Sequence, residues 1–363
     1  MSDEKIRNQK NKAVVWDFWQ KMNHVESENV PDVIRAAFHE DVNWNGPHPI
    51  NHVPGVDKLI TDFWQPLLHS FPDLKRKADI FLGGMGGGDE WVTGLGYLTG
   101  TFAEDWLGIP ATNDKTNIHF GQFYVMREGK IAESYVILDT LAVMRQAGFQ
   151  VIPPARGMEG GKIPGPHTGD GVLLTEQDEL ETNKTRQIVA AMGRGLSRYV
   201  RSRDGGDMRS MEQWHYWHPN MHWYGPSGIG ACLSLEEFAD FHQRPWLHGF
   251  GDRSVEGDPG GRLMGMGDGF DDIVAEGFYS ALGVWDYAYS IHHGEYQQVP
   301  ATGKLMTIRD FDWYRREGEL LIQNWVPIDI VDLLMQMGVD LFDRLRRQVE
   351  MRQRGQHWFA GPG

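Results

Sequence analysis

Apolar residues recur every three to four positions in AVVWDFWQKMN (13–23), the spacing of a helix that buries one stripe. Shorter helical patterns cover 31–37 and 56–69. After Phe71-Pro72-Asp73 the pattern changes. Runs rich in β-branched and aromatic residues at 74–82, 89–101, 116–126 and 131–138 predict strands. A short strand is expected earlier, at DVNWN (41–45), and Glu128-Gly129 reads as the hairpin turn between the last two strands. The closing helix starts after Asp139 and stops near Gly148, a residue suited to a left-handed C-cap. Helices followed by antiparallel strands predict an α+β unit whose sheet curls over its N-terminal helices.

The same succession is written twice. Residues 39–73 align with 218–252 without a gap, and ten of the 35 positions are identical, among them His39/His218, Trp44/Trp223, Gly46/Gly225, Pro47/Pro226 and His69/His248. Composition alone would give about two. A second block, 109–148 against 299–338, pairs Pro110-Ala111-Thr112 with Pro300-Ala301-Thr302, Asp139 with Asp329, and Gly148 with Gly338. So long a period is that of whole domains in tandem. The Pro- and Gly-rich stretch PPARGMEGGKIPGPHTGDG (153–171) reads as the connection between them. The expected organisation is a first domain over 1–152, a linker over 153–180, a second domain over 181–342 and an Arg-clustered helical tail over 343–363.

A chain of 363 residues supports two cores, and 40% apolar with 23% charged residues is an ordinary globular balance. A net charge of −15 opposes nucleic acid as a partner. The single Cys232 has no intrachain disulfide partner, the N-terminal stretch MSDEKIRNQKNK is polar with no apolar segment behind it, and no apolar run approaches a membrane span. The expectation is a cytoplasmic protein that acts on a small molecule, with neither membrane nor nucleic acid as partner. GGMGGG (83–88) looks like a phosphate loop, but strands flank it and the Lys-Ser/Thr ending is missing, so it reads as a hairpin turn. GMGDG (265–269) stands at the matching place in the second copy, after the longer segment GDRSVEGDPGGR (251–262). His215, His218 and His222 have a spacing that could serve a metal, but Pro219 interrupts them, and no metal site is expected.

Several motifs together resemble the SnoaL-like polyketide cyclases, within the nuclear transport factor 2-like superfamily that also holds ketosteroid isomerase. They are Phe71-Pro72-Asp73, HHGEYQQVPATGK (292–304), REGKIAESYVILD (127–139) with its counterpart REGELLIQNWVPID (316–329), and the Gln-x-Gly after each closing helix. The resemblance implies two tandem conical α+β barrels, each a curled, mostly antiparallel sheet on N-terminal helices. It implies chemistry without metal or organic cofactor, and a fused pair that reproduces a dimer within one chain, with further homodimerisation open. In such cyclases an Asp at the end of the last strand is the general acid/base of a ring-closing aldol step, a position that falls on Asp139 and Asp329.

The residues themselves leave each site open to two readings. Asp139 and Asp329 end apolar runs and precede helices, so each is either an N-cap or a desolvated base at the mouth of a cone. His119 aligns with Arg309, and both could polarise a substrate oxygen or simply face outward from a strand. Trp44, Trp223, Tyr135 and Trp325 are expected to wall the cavities, with His222 beside Trp223. Asn43, His48 and His52 belong to the first copy alone and would give it specificity groups if that copy is the active one. The expected function is a cofactor-independent acid/base enzyme, a cyclase, isomerase or lyase, acting on a small apolar cyclic or aromatic carbonyl or hydroxyl compound. The rival is a non-catalytic binding or dimerisation module of the same fold.

Overall fold

The computed structural model describes residues 3–199, 208–251, 261–264 and 272–356. GMGDG and all but the ends of GDRSVEGDPGGR lie outside them. The first repeat runs α1 (Asp3–Met22), α2 (Val30–Ala37), β1 (Phe38–Asn45), β2 (His52–Pro54) and a helical stretch of α3 (Val56–Lys58), a π-helical Leu59–Trp64 and α4 (Gln65–Ser70). Then come β3 (Lys75–Gly86), β4 (Asp89–Thr101), β5 (Lys115–Arg127), β6 (Lys130–Leu138) and α5 (Thr140–Gln146). The strands fall on the four expected runs, except that β3 continues through Gly83–Gly86 of the expected GGMGGG turn, and Gly87-Gly88 alone, both at positive φ, turn the chain into β4. The expected single helix over 56–69 contains a π turn because Pro66, with no N–H to give, follows it directly, and a widened turn accommodates it.

The second repeat repeats that order with α6 (Glu179–Leu196), β7 (Trp217–Tyr224), β8 (Ala231–Cys232), α7 (Leu235–Glu237), a π-helical Phe238–Gln243 and α8 (Arg244–Phe250). It continues with β9 (Arg262–Met264), β10 (Val274–Glu276), β11 (Tyr279–Ile291), β12 (Leu305–Glu317), β13 (Leu320–Trp325), α9 (Ile330–Gln336) and α10 (Leu341–Gln353). Each repeat builds a mixed sheet, in order β2-β1-β6-β5-β4-β3 and β10-β11-β12-β13-β7-β8, with β9 also on β11. Parallel pairing occurs once per sheet, aligning Trp44 with Ser134 and Trp223 with Asn324. One sequence match slips by a residue. Arg127 pairs with Lys130 but Glu317 with Leu320, so the hairpin turns are Glu128-Gly129 and Gly318-Glu319, and the two REG triplets are out of register.

Side-chain alternation gives each sheet two apolar faces. On β5, Ile118, Phe120, Tyr124 and Met126 join the helix-side core, whereas Phe123 and Val125 point the other way. On β12, Ile308 and Tyr314 face the helices, while Phe311 and Trp313 face the first repeat. The two outer faces pack back to back, with Phe123 rings 5.0 Å from Phe311 and 5.3 Å from Trp313, and Tyr135 5.7 Å from Trp285. Gly121 permits that approach, because a Cβ there would lie 2.9 Å from Trp313 Cη2 and 3.0 Å from Pro327 Cγ. Lys12 of α1 and Glu276 of β10 form an ion pair of 2.5 Å across the repeats, both side chains buried. The connection between repeats is ordered. Met158 pairs with Ala231 of one sheet, and Phe81 of the other pairs with the segment at Val172.

The Trp-x-Gly-Pro element has one physical cause in both copies. The indole folds back over the glycine, and a Cβ would come within 2.3 Å of the Trp44 ring at Gly46 and 2.2 Å of the Trp223 ring at Gly225. The C-terminal helix α10 docks on the first repeat, where Arg352 donates to the carbonyls of Ala147 and Gly148 at the end of α5 and lies 3.8 Å over Phe149. Cations at a helix C-terminus are favoured electrostatically. Among the described residues no helix is long and apolar enough to cross a membrane.

Candidate functional site

Asp139 and Asp329 do the same two things with their two oxygens. One oxygen caps the following helix, taking the N–H of Ala142 at 2.9 Å and of Asp332 at 3.1 Å respectively. The other reaches across the junction. Asp139 Oδ2 accepts from the backbone of Ser227 at 3.0 Å, and Asp329 Oδ2 accepts from the backbone of His48 at 2.8 Å. Ser227 and His48 immediately follow the Gly-Pro of the opposite repeat. Each repeat's Asp therefore holds the other repeat's Trp-x-Gly-Pro turn, and the element conserved between copies is half of a reciprocal latch. Burial raises both carboxyls above the ordinary range, Asp329 to about 6, although its neighbour Arg309 pulls the other way.

The two latches differ in what stands beside them. Arg309 fills its own junction, with Nε 2.7 Å from Asp286, Nη1 2.9 Å from Asn51 Oδ1 and 3.3 Å from Asp329. The shorter His119 leaves space at the other. A cavity of about 300 Å³ opens there between β5, the 158–163 connection and the Gly225-Pro226-Ser227 turn, and both His119 and Asp139 line it. His119 is 5% exposed, its Nε2 has no partner, and burial pushes its pKa down to about 4, so the ring is neutral near pH 7.

The remaining sequence candidates are dispersed. Trp44 is core, 4.3 Å from the Phe63 ring. Tyr135 and Trp325 belong to the layer between the sheets, where Tyr135 donates to Glu133 at 2.8 Å and Trp325 to the Pro164 carbonyl at 2.8 Å. Asn43 and His52 pair with each other at 2.6 Å on the surface. The His48 ring lies 6.1 Å from Phe342, and its contribution to the junction is its backbone N–H. His222 Nδ1 is 3.1 Å from the Tyr224 hydroxyl, and His218 Nδ1 accepts from the backbone of Asn220 at 3.0 Å. Among the described residues no group of three or more His, Cys, Asp or Glu side chains is arranged to hold a metal ion.

A second cavity, of about 120 Å³, lies inside the second repeat, between the concave face of its sheet and its helices. Its walls include Trp223, Phe238, Trp246 and Ile308, and its polar groups include Asp310, Asp312, Tyr314, Asn324 and His242. Asp310, Asp312 and Tyr314 alternate along β12 and so share one face. Asp312 accepts from Asn324 at 3.0 Å, whereas Asp310 Oδ1 is buried without a hydrogen-bond partner. The two carboxyls interact. Desolvation pushes Asp312 up to about 6, and desolvation with the charge of Asp312 pushes Asp310 well above the ordinary range. His242 stacks on Trp223 at 4.2 Å, its Nδ1 is unpaired, and burial lowers its pKa to about 3.

The first repeat's cone is filled instead. Its residues at the positions of Asp310, Asp312 and His242 are Phe120, Gln122 and Phe63. Trp19 donates to Tyr124 at 2.9 Å, and Arg76 lies 4.5 Å over Trp19 and 4.3 Å over Phe120 while donating to Gln122 at 3.1 Å. The sequence carried the signal for the second cone in TIRDFDWY (307–314), where acidic residues two apart in one copy replace Phe and Gln in the other. Arg309, one position before Asp310, lies on the opposite face of β12, which is turned toward the other repeat.

Residues 15–147 match the family model of the SnoaL-like polyketide cyclases. None of the curated proteins matches the sequence. Solved structures similar to one repeat include a protein from Jannaschia sp. described as a proposed SnoaL-like polyketide cyclase, at 20% identity and a TM-score of 0.35, covering 41% of this chain and 97% of its own. Another is IdmH from Streptomyces antibioticus, described as a proposed polyketide cyclase, at 18% identity and 0.32, covering 38% and 99%. A SnoaL-like polyketide cyclase from Agrobacterium tumefaciens matches at 19% and 0.31, covering 38% and 98%.

Proposed function

We propose that this chain, whose first repeat matches the SnoaL-like polyketide cyclase family, is an acid/base enzyme with its reaction chamber in the cone of the second repeat. The carrying observation is the Asp310–Asp312 pair under an apolar aromatic roof, with one buried carboxyl oxygen left unpartnered. Two interacting carboxyls in a desolvated site hold one proton between them across a range of pH, so the pair presents an acid and a base at once. Asp312, stabilised as the anion by Asn324, is the base, and Asp310, pushed further up, keeps the proton. A carbonyl compound seated with its oxygen at Asp310 loses an α-proton to Asp312 as the C–H bond breaks. The oxygen takes the proton of Asp310, and an enol results. In a substrate with a second carbonyl, the enol carbon attacks that carbonyl carbon and closes a ring as the C=O π bond opens. The enol O–H returns its proton to Asp310 and the new alkoxide takes the proton held by Asp312, which restores the pair. Tyr314, pushed up by burial and the Asp312 charge, stays neutral as a donor. Every proton-transfer group in the sequence is a side chain of this chain, and the substrate class is a small, largely apolar cyclic or aromatic carbonyl compound.

The test uses deprotonation itself as the readout. The chain should accelerate exchange of the α-protons of cyclohexanone in D₂O, followed by proton NMR. Asp312→Asn should reduce the catalysed rate by about 10²–10⁴-fold, the usual weight of a positioned base. Wild-type rates in both Asp310→Asn and Asp312→Asn would overturn the assignment.

A further inference from the structure

The junction cavity beside the Asp139 latch is a site of different construction from the cone. Its walls come from β4, β5 and α5 of the first repeat, the 158–163 connection and the turn of the second repeat, which only the tandem arrangement brings together. Its counterpart at the other junction is occupied by the Arg309 guanidinium, held by Asp286, Asn51 and Asp329. Here an imidazole stands in place of that cation, and the space remains.

The unsatisfied polar atoms at this cavity are donors or can be. Arg145 spends Nη1 on Glu159 and leaves Nη2 buried without a partner. His119 Nε2 is likewise buried and unpaired, and a neutral ring carrying its hydrogen there is a donor. Lys162, exposed at the rim, has its ammonium 5.2 Å from the Tyr97 ring. The two carboxylates that border the cavity are already answered. Asp139 takes the N–H groups of Ala142 and Ser227, and Glu159 takes Arg145, the Gly228 N–H at 2.6 Å and the Ala155 N–H at 2.8 Å. Met158, Ile163 and the Tyr97 ring supply an apolar wall, and the Ile163 N–H donates to the Tyr97 hydroxyl at 2.6 Å, fixing the connection over the cavity.

We propose that the junction cavity is a second ligand site, for a small organic carboxylate whose anionic end meets Arg145, His119 and Lys162 and whose apolar body lies against Tyr97 and Ile163. Its volume of about 300 Å³ is at the lower limit of pockets that enclose small ligands. Occupancy ties the connection to both repeats, so the ligand acts on the junction and leaves the cone's proton chemistry to other residues.

Titration calorimetry of the full chain with benzoate, against benzamide as the uncharged isostere, tests this. Benzoate should bind one per chain and benzamide about tenfold or more weakly, the weight of charge-assisted hydrogen bonds. Lys162→Met, at an exposed position, and His119→Phe should each weaken benzoate by a comparable factor. Saturating cyclohexanone should leave benzoate affinity unchanged. Equal binding of benzoate and benzamide, wild-type benzoate affinity in both variants, or displacement of benzoate by cyclohexanone would each overturn the proposal. Because the readout is benzoate heat, loss of the proton-exchange activity would leave this result standing.

Discussion

Replacing Asp329 with Asn should change stability by an amount that depends on pH, and the dependence identifies the residue as a buried latch. In the folded chain its carboxyl lies at about 6 against an ordinary 3.8, because desolvation outweighs the pull of Arg309. A carboxyl raised by folding favours its protonated form there. Its contribution is fully present below pH 3.8 and is lost as pH rises through about 6. At 1.36 kcal/mol per unit, the loss is about 3 kcal/mol. Asparagine keeps an acceptor for Asp332 N–H but turns an NH₂ toward the His48 N–H, which forfeits one buried hydrogen bond at about 1–3 kcal/mol. The variant should therefore be less stable than wild type by that amount near pH 4, and, as wild type alone loses about 3 kcal/mol, should equal or exceed it in stability by pH 7. Urea denaturation of both proteins from pH 4 to 7.5, read by far-UV circular dichroism, measures it. Two stability curves that stay parallel would refute the reasoning, since a solvated Asp at a cone mouth would give that result.

Two further outcomes test the packing of the repeats. Gly121→Ala should lower stability by about 1–3 kcal/mol in the same denaturation assay, because its Cβ enters the space of Trp313 and Pro327 and forces them apart. Lys12→Met should cost about 3–5 kcal/mol by leaving Glu276 buried without its cation, and adding Glu276→Leu should recover most of that loss.

Much of the fold is legible because it is set locally. Runs of β-branched and aromatic residues place β3 to β6, although β3 runs on to Gly86, and the Trp-x-Gly-Pro repeat reports a ring folded over a glycine that admits no Cβ. What escaped is nonlocal. The partner of Asp139 is an N–H from Ser227, 88 residues away, and nothing in the pattern around YVILD shows that the carboxylate faces the other repeat. The same holds for β12. Asp310 and Arg309 are neighbours in sequence but lie on opposite faces, and only the assembled sheet shows that one face lines a cone while the other packs on a second sheet. The connection at 153–171, read from its Pro and Gly content as a linker, also bonds to both sheets, at Met158 and at Gly171.

On the proposed function, the second cone, and not the first, receives the substrate. Phenol, a planar mimic of an enol, is among the smallest aromatic probes with a hydroxyl, which suits a cavity of about 120 Å³ that carries carboxyl groups. A crystal of the full chain soaked with phenol should show ordered phenol between Trp223 and Ile308 with its oxygen at hydrogen-bonding distance from Asp310 or Asp312. Phenol ordered among Trp19, Phe120 and Tyr124 of the first cone, with the second cone empty, would contradict it.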